Sequence, residues 1–412
     1  MSRYLPLICL ALVHTLVDSC AMLMEPLWPQ VQESFHLIGI GALSAAFVIQ
    51  SMPTSLSQAV FGYFRDRRST PAILWLGPLL GAICMTAIGL TSSKIVLGIL
   101  LLVGGVGIGA FHPEAAVAAG RALPGARTRS LSLFMFGGAL GLGLGPPLSG
   151  AIVNTWGLKG LIVLLPFLLV IIALLWRVGR LGTLSAPTPK REARMSLGEM
   201  FEGRGRLALA IFVICSLRLV PNMGMGKVLS FALDKQGYNK FEIGLTQSLF
   251  LIAASVGMFV MAFRFRSGLE RKFMIVCPLL GAPMLFALGW EGCPEWLFFP
   301  LLALTGLTLW GTTPAMVSYA QQQFPKGAGM ASAITMGLSW GLGGLIHTPM
   351  TAYYSSTEFP QHALYGFIPF LLLAGVGAWF LPATQTELQN AATVDEPVTS
   401  LSTDPEPKPA DA

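Results

Sequence analysis

The chain has 412 residues, of which 54% are hydrophobic and 11% are charged, with a net charge of +6. Soluble domains carry about 25% charged residues, so this composition excludes an ordinary water-soluble surface. It also excludes a disordered chain and a small disulfide-stapled secreted fold. The apolar residues form long runs, and about 20 such residues are needed for a helix to cross a bilayer. The sequence therefore predicts an all-α integral membrane protein.

Twelve apolar runs are candidate membrane-spanning helices. In the first half they cover residues 4–28, 40–61, 71–91, 95–117, 128–153 and 158–177. In the second half they cover residues 206–232, 241–264, 273–290, 296–322, 327–354 and 361–381. We expect two pseudo-symmetric six-helix bundles, at 1–180 and 206–381, joined by a basic cytoplasmic linker at 181–205 and followed by a disordered acidic tail at 382–412.

The positions of the basic residues predict the orientation in the membrane. With Met1 inside, 20 of the 26 Lys and Arg fall on the inner side, four fall in outer loops and two lie within a span. Because cytoplasmic loops hold an excess of Lys and Arg, we expect a multi-pass inner-membrane protein with both termini in the cytoplasm. The net positive charge is then explained by this topology, and no nucleic-acid partner is expected. The first helix is expected to be retained in the membrane and not removed as a signal peptide.

Ionisable residues inside the first span form a polar stripe. His14, Asp18 and Glu25 fall within about 40° of one another on a helix. Intramembrane charges are costly and usually mark a transport pathway. We expect Asp18, with His14, to carry a proton, and Glu25 to face substrate. The alternative is a static hydrogen-bonded pair of Asp18 and His14 that holds helices together.

The seventh span carries two basic residues. Arg218 and Asn222 lie one turn apart on the same face, and Lys227 follows nine residues after Arg218. Arg218 is expected to pair with Asp18 or to bind an anionic group of the substrate, with Asn222 beside it. Lys227 is assigned to the substrate site as well, although Pro221 makes the continuity of the helix doubtful and the side chain can also snorkel outward.

The fourth span ends in Phe111-His112-Pro113-Glu114. His112 is assigned to the substrate site. Glu114 is expected to accept protons on the cytoplasmic side, to pair with Arg121 or Arg67 in a gate, or to act as a structural cap. His347 and the glutamines at 321–323 are weaker candidates, since a lone histidine in a late span more often serves packing.

Two further motifs resemble those of a known family. Gly62-x3-Asp66-Arg67, between spans 2 and 3, resembles the loop signature of the major facilitator superfamily, although Ser69 and Thr70 depart from that signature. The resemblance implies a cytoplasmic latch that gates the transporter. The corresponding loop of the second half lacks the Asp, so the latch is expected to be one-sided.

In span 5, Gly141-x3-Gly145-Pro146-x2-Ser149-Gly150 resembles the antiporter motif of the same superfamily, and Gly137, Gly141 and Gly145 form one smooth face for close helix packing. The segment at about 105–150, with its Phe-His-Pro-Glu stretch, resembles the fosmidomycin-resistance branch. The resemblance implies twelve helices, alternating access and proton-driven efflux of small polar or amphiphilic compounds. Gly141, Gly145 and Pro146 are assigned to gating with Gly62, Asp66 and Arg67.

The function expected from these features is secondary active transport: proton-coupled export of a small amphiphilic or anionic solute. The alternative is an uptake symporter or facilitator of an organic acid, which would use the same fold and charges. A membrane enzyme built on Asp18, His112 and Glu114 is disfavoured because no nucleophile, phosphate-loop or metal-binding spacing appears. A transport-dead sensor is disfavoured, because it would be expected to have an ordered soluble domain and the sequence predicts none. No cofactor or metal is expected, and the protein is expected to be a monomer.

Overall fold

In the computed structural model, residues 4–65, 71–122, 127–178, 196–264 and 268–389 are described, and they are almost wholly helical. Eleven helices of these ranges are long and apolar enough to cross a membrane. We number the spans of the first half α1 to α6: Leu5–Ser34, Gly39–Arg65, Ile73–Leu90, Lys94–Ala122, Arg127–Trp156 and Leu158–Val178. Those of the second half include α7 to α10: Gly205–Lys235, Lys240–Arg264, Glu270–Gly289 and Glu295–Gln323.

The remaining spans are α11, at 328–355, and α12, at Pro360–Trp379. Helix α11 is built from three consecutive pieces, an α-helix at Ala328–Ser332, a π-helical stretch at Ala333–Leu338 and an α-helix at Ser339–Ser355. Each piece alone is shorter than a span, yet together they cover the apolar run expected at 327–354. The all-α membrane fold predicted from the sequence is confirmed.

Prolines explain where the helices break. Helix α1 is an α-helix up to Met22 and continues as a 3-10 turn at Glu25–Leu27 and a short helix at Trp28–Ser34. Pro26 and Pro29 lie in this second part, where a missing N–H prevents regular α-helical hydrogen bonding. Helix α10 breaks at Thr312, just before Pro314. By contrast, α7 runs without a break through Pro221.

The helices form two bundles, each with its own apolar core. The N-terminal bundle, α1–α6, buries one large cluster around Trp28, Phe47 and Phe111. The C-terminal bundle, α7–α12, buries two smaller clusters, around Leu309 and around Tyr319. The main helix pairs between the bundles are α5 with α8 and α2 with α11, and α1 meets α7. This arrangement places α1, α5 and α7 along the boundary between the bundles.

Helix α5 packs so closely against α1 because glycines face it. A Cβ atom at Gly137, Gly141 or Gly145 would lie 2.3–2.5 Å from the backbone oxygen of Ala11, Thr15 or Ser19. Two side chains of α1 use this proximity: Thr15 donates to the Gly137 carbonyl at 2.7 Å and Ser19 to the Gly141 carbonyl at 3.2 Å. The glycine face predicted in span 5 therefore lies directly on the helix that carries His14 and Asp18.

Candidate functional site

Asp18 is the centre of a buried polar cluster that joins α1 to α4. One carboxylate oxygen lies 3.3 Å from Nε2 of His14, one turn earlier on α1, and the other lies 3.1 Å from Nε2 of His112 on α4. The side chains of Asp18 and His14 are 12% and 4% exposed, whereas that of His112 is 22% exposed. Each carboxylate oxygen thus has its own imidazole partner inside the N-terminal bundle.

The other nitrogen of each imidazole is fixed by the backbone. Nδ1 of His14 lies 2.8 Å from the carbonyl oxygen of Phe134, and Nδ1 of His112 lies 2.8 Å from that of Ile108. A carbonyl only accepts hydrogen bonds, so both Nδ1 atoms carry the hydrogen. Both Nε2 atoms are therefore directed at Asp18 with their tautomer already determined.

Aromatic rings and glycines shape the walls of this cluster. The imidazole of His14 stacks on the ring of Phe134 at 4.0 Å between centroids, and Phe111 lies 5.9 Å away. A Cβ atom at Gly138 of α5 would lie 2.4 Å from the His14 ring and 2.7 Å from an Asp18 oxygen. The absence of a side chain at Gly138 is what leaves room for the His14–Asp18 contact.

This arrangement is suited to holding and releasing protons. One nitrogen of each imidazole and one carboxylate oxygen of Asp18 lie within 4.8 Å of one another, a spacing that also occurs in metal sites. Nε2 of His112 is at hydrogen-bond distance from the carboxylate, 3.1 Å, and Nε2 of His14 is at ion-pair distance, 3.3 Å, so the geometry also accommodates protons between the imidazoles and Asp18. An imidazole in contact with a carboxylate can pass a proton to it or take one from it.

Glu25 lies apart from this cluster and forms an ion pair between the two bundles. Its Oε1 accepts from Nζ of Lys227 on α7 at 2.9 Å and from Gln50 on α2 at 3.3 Å. The ammonium also lies over the rings of Trp28 and Phe47, 5.8 and 5.5 Å from their centroids. Lys227 therefore points inward, and does not snorkel outward.

The backbone of α7 leaves space for this pair. A Cβ atom at Gly226 would lie 2.4 Å from Oε2 of Glu25. The hydroxyl of Ser230, one turn on, donates to the backbone carbonyl of Glu25. With side chains at 9% and 5% exposure, the Glu25–Lys227 pair is buried at the meeting point of the bundles.

Arg218 makes its contacts inside the C-terminal bundle, so the expected pair with Asp18 is not formed. Its guanidinium donates to the Leu309 carbonyl and to the hydroxyls of Thr312 and Thr313, where α10 breaks. The pairing was wrong because the position of a residue along its helix does not fix the direction of a long side chain. Both amide atoms of Asn222 are buried with no hydrogen-bond partner among the described residues.

The remaining expected site residues are distributed over both bundles. Glu114 is 1% exposed on α4. Gly62 of α2 lies against Pro113, 3.8 Å from the position of its missing Cβ. His347 is buried on α11 and its Nδ1 lies 3.2 Å from the Thr351 hydroxyl. Asp66 and Arg67 lie outside the described residues.

Pro146, with Pro147, belongs to the contact between the bundles. A Cβ atom at Gly244 of α8 would lie 2.5 Å from the Pro146 carbonyl oxygen. Nearby, Ser248 of α8 donates to the Gly143 carbonyl at 2.7 Å. Helix α5 thus presents one glycine face to α1 and another surface to the C-terminal bundle.

Several contact residues were missed from the sequence. Gln50 and the Phe134 carbonyl act through contacts between helices that no spacing along the chain indicates. Glu270, at the start of α9, is 1% exposed and accepts from Ser318 at 3.0 Å and Gln322 at 2.7 Å on α10. Its place directly after the second-half loop is a signal from which an acidic partner could have been predicted there.

Two bundles of membrane-spanning helices, with ionisable side chains buried at and beside their boundary, define a polytopic membrane transport protein. The chain belongs to the Major Facilitator Superfamily, whose family model matches residues 7–346. Its relatives of similar length are membrane transporters and not enzymes.

Two curated relatives match over nearly the whole chain. The fosmidomycin resistance protein of Escherichia coli (strain K12) is 27% identical over 392 residues, which cover 90% of this chain and 91% of that protein. An uncharacterized MFS-type transporter, YfnC, of Bacillus subtilis (strain 168) is 26% identical and covers 92% and 93%.

Solved structures share the fold. A bacterial homologue of the human lysosomal transporter Spinster, in an inward-facing and unoccupied conformation, superposes with a TM-score of 0.73 at 14% identity, covering 94% of this chain and 98% of that chain. The nucleoside transporter NupG superposes with a TM-score of 0.67 at 15% identity, covering 92% and 99%. At these identities the likeness concerns the fold alone.

Proposed function

We propose that this protein exports a small amphiphilic or anionic solute across the bacterial inner membrane in exchange for protons, working by alternating access as a monomer. The observation that carries the proposal is the buried contact of Asp18 with two imidazoles. An ionisable cluster inside a membrane bundle is costly to maintain, and such clusters mark proton relays in transporters. Asp18, His14 and His112 are the proposed proton carriers, and His112, the most exposed of the three, is the exchange point.

The solute is proposed to bind beside α7, at the boundary of the bundles. Asn222 supports this position, because both amide atoms of this residue are buried and have no hydrogen-bond partner among the described residues. A buried amide without partners costs free energy that a bound ligand can recover. Fosmidomycin is the first compound to test, because the relative named above confers resistance to it by name.

The experiment uses purified protein in proteoliposomes that contain a pH-sensitive dye. Fosmidomycin and a panel of organic anions and amphiphilic drugs are added under an imposed proton gradient. We expect one or more compounds to elicit proton movement in the wild type. Asp18→Asn should abolish this movement, because the amide cannot bind the exchanged proton. Asp234→Asn, the same chemical change at a partly exposed position paired with Lys240, is the matched control.

The results separate the competing functions. Unchanged proton movement in Asp18→Asn contradicts the proposed role of the cluster. Solute flux without proton movement identifies a facilitator. Proton-driven accumulation of solute on the side of the protein that faces the cytoplasm identifies the uptake symporter of an organic acid. The accessibility of Cys293 to a membrane-impermeant maleimide establishes which side faces the cytoplasm.

A further inference from the structure

We infer that the His14–Asp18–His112 cluster stores two exchangeable protons, one in each contact between an imidazole Nε2 and a carboxylate oxygen. His112 is then an equal partner of Asp18 in proton storage and not a substrate ligand. The two-proton store follows from the geometry alone. That a transport cycle moves both protons rests in addition on the proposed function.

The first step is the direction of the hydrogen bonds at Nδ1. Both Nδ1 atoms donate to backbone carbonyls, at 2.8 Å in each case. Each neutral imidazole in this tautomer presents a lone pair at Nε2. Because the same ring cannot give up its Nδ1 hydrogen without breaking that bond, the hydrogens at Nδ1 are not the exchangeable ones.

The second step is the count of protons at Asp18. A lone pair at Nε2 facing a charged carboxylate oxygen at 3.1 or 3.3 Å is repulsive, so each contact needs one proton between its two atoms. A protonated Asp18 can supply only one of them, and the other must then reside on an imidazole. Two imidazolium ions beside a carboxylate, or one imidazolium and one carboxylic acid, both give two protons and a net charge of +1. Release of both leaves −1.

The third step is the electrostatic surroundings. On α1, the nearest further titratable group is Cys20, two residues beyond Asp18. On α4, Glu114 lies two residues beyond His112, about 200° around the helix. Helix α3 contributes only Cys84, and the charged residues of α5 and α6 lie near their ends. The wall of α5 beside the cluster is made of uncharged groups, Phe134 and Gly138. The net charge at this position, +1 or −1, is therefore set by the protonation of the three side chains of the cluster.

The two protons differ in their route to water. The His14 side chain stacks on the ring of Phe134, is hydrogen-bonded to the backbone and is 4% exposed, whereas the His112 side chain is 22% exposed. The proton between Asp18 and His112 is then the first to exchange. Loss of the second proton leaves the Nε2 lone pairs of both imidazoles facing the charged carboxylate, so the contacts of Asp18 with His14 and His112 must open. Deprotonation is thereby linked to a change in the packing of α1 against α4.

The test counts protons spectroscopically. The chain has five histidines, so the purified protein can be labelled with ¹⁵N-histidine, reconstituted in lipid, and read by ¹⁵N NMR near neutral pH. His14→Gln and His112→Gln assign the two signals, and His36→Gln, which removes an exposed histidine, is the control. The infrared band of a protonated carboxyl group, removed by Asp18→Asn, reports on Asp18.

We expect the imidazolium ions at positions 14 and 112 and the protonated carboxyl of Asp18 to sum to two. A sum of one or zero in the wild type overturns the inference. The sample is read before and after dialysis against EDTA. A change in the two assigned signals on dialysis means that a bound metal ion, and not protons, bridges the contacts, which also overturns it.

Transport adds an independent measurement. In proteoliposomes at zero membrane potential, a gradient of one pH unit should sustain a fosmidomycin gradient of about 100-fold if two protons move per cycle, against about 10-fold for one. A spectroscopic count of two without any proton-driven flux contradicts the proposed function but leaves the store intact. A count of one in a protein with proton-driven flux contradicts the store alone.

Discussion

Arg218 shows how a single buried cation is accommodated by neutral oxygens. The residue is 2% exposed, and its guanidinium contacts the Leu309 carbonyl and two threonine hydroxyls. The first part of α10 ends at Gly311, where backbone carbonyls lack helical partners and the helix dipole is negative. A cation placed there completes the hydrogen bonding of the break. Arg218 therefore acts as a clamp between α7 and α10.

Removing this clamp should destabilise the protein. Arg218→Met is expected to lower the stability by about 1–3 kcal/mol, because buried acceptors at the break of α10 lose their donor. The measurement is the thermal unfolding midpoint in detergent, with Arg177→Met, at an exposed position, as the control. A midpoint equal to that of the wild type would contradict the clamp and would favour a role of Arg218 in binding an anion.

At the same scale, the sequence predicted some contacts of the site and missed others. The spacing of His14 and Asp18 by one turn was enough to predict that they meet, and they do, at 3.3 Å. The approach of His112 depends on how α4 is rotated against α1, which spacing along one helix does not determine. Lys227 could be assigned to Glu25 only once α7 was known to be continuous through Pro221.

At the scale of helices, the glycines of α5 set the distance between α5 and α1. Hydropathy predicted the spans well, with α4 expected at 95–117 and found at Lys94–Ala122. It did not predict the break of α10 at Thr312 or the π-helical stretch of α11, because both depend on local hydrogen bonding and not on apolar length. The repeat of glycines every four residues did predict the close packing face.

Filling the space beside Asp18 should impair transport. In Gly138→Ala the added Cβ would lie 2.4 Å from the His14 ring and 2.7 Å from Asp18, so the cluster must shift. We expect proton-coupled flux to fall by on the order of tenfold, as small displacements of reacting groups do in enzymes. Gly98→Ala is the matched control, since its Cβ would have only Ile49 at 4.0 Å. Equal flux in the two variants would show that the cluster tolerates displacement.

At the scale of the whole molecule, the ion pair of Glu25 and Lys227 connects the two bundles. In the proposed alternating access the bundles separate on each side in turn, so we expect this pair to break once in every cycle. Because both partners are buried, the state in which they are together is favoured only while both charges are present.

Neutralising one partner should therefore be more harmful than neutralising both. Glu25→Gln leaves Lys227 buried and unpaired, a change that costs about 3–5 kcal/mol in proteins. The combination of Glu25→Gln with Lys227→Met should regain a large part of this loss. Thermal unfolding of the single and double variants gives the coupling energy. Additive losses would mean that the two charges act independently.

The orientation of the molecule can be tested through its cysteines. Cys9, Cys20, Cys84 and Cys215 are buried, whereas Cys277 and Cys293 are partly exposed. In a Cys277→Ser background, a membrane-impermeant maleimide should label Cys293 in intact cells, because the loop between α9 and α10 is expected on the outer side. Labelling that requires permeabilised cells would reverse the proposed topology.

The two faces of α5 also determine how freely its sequence can vary. On one side Gly137, Gly141 and Gly145 touch the backbone of α1, and on the other Gly150 would place a Cβ 2.2 Å from the Lys240 carbonyl oxygen of α8. Neighbouring α6 buries only Leu168 and Ile172 in its α-helical part. A saturation library should therefore tolerate almost any apolar residue along α6 while selecting glycine at these positions of α5. During the evolution of this transporter, substitutions would accumulate in α6 and be removed by selection from these positions of α5.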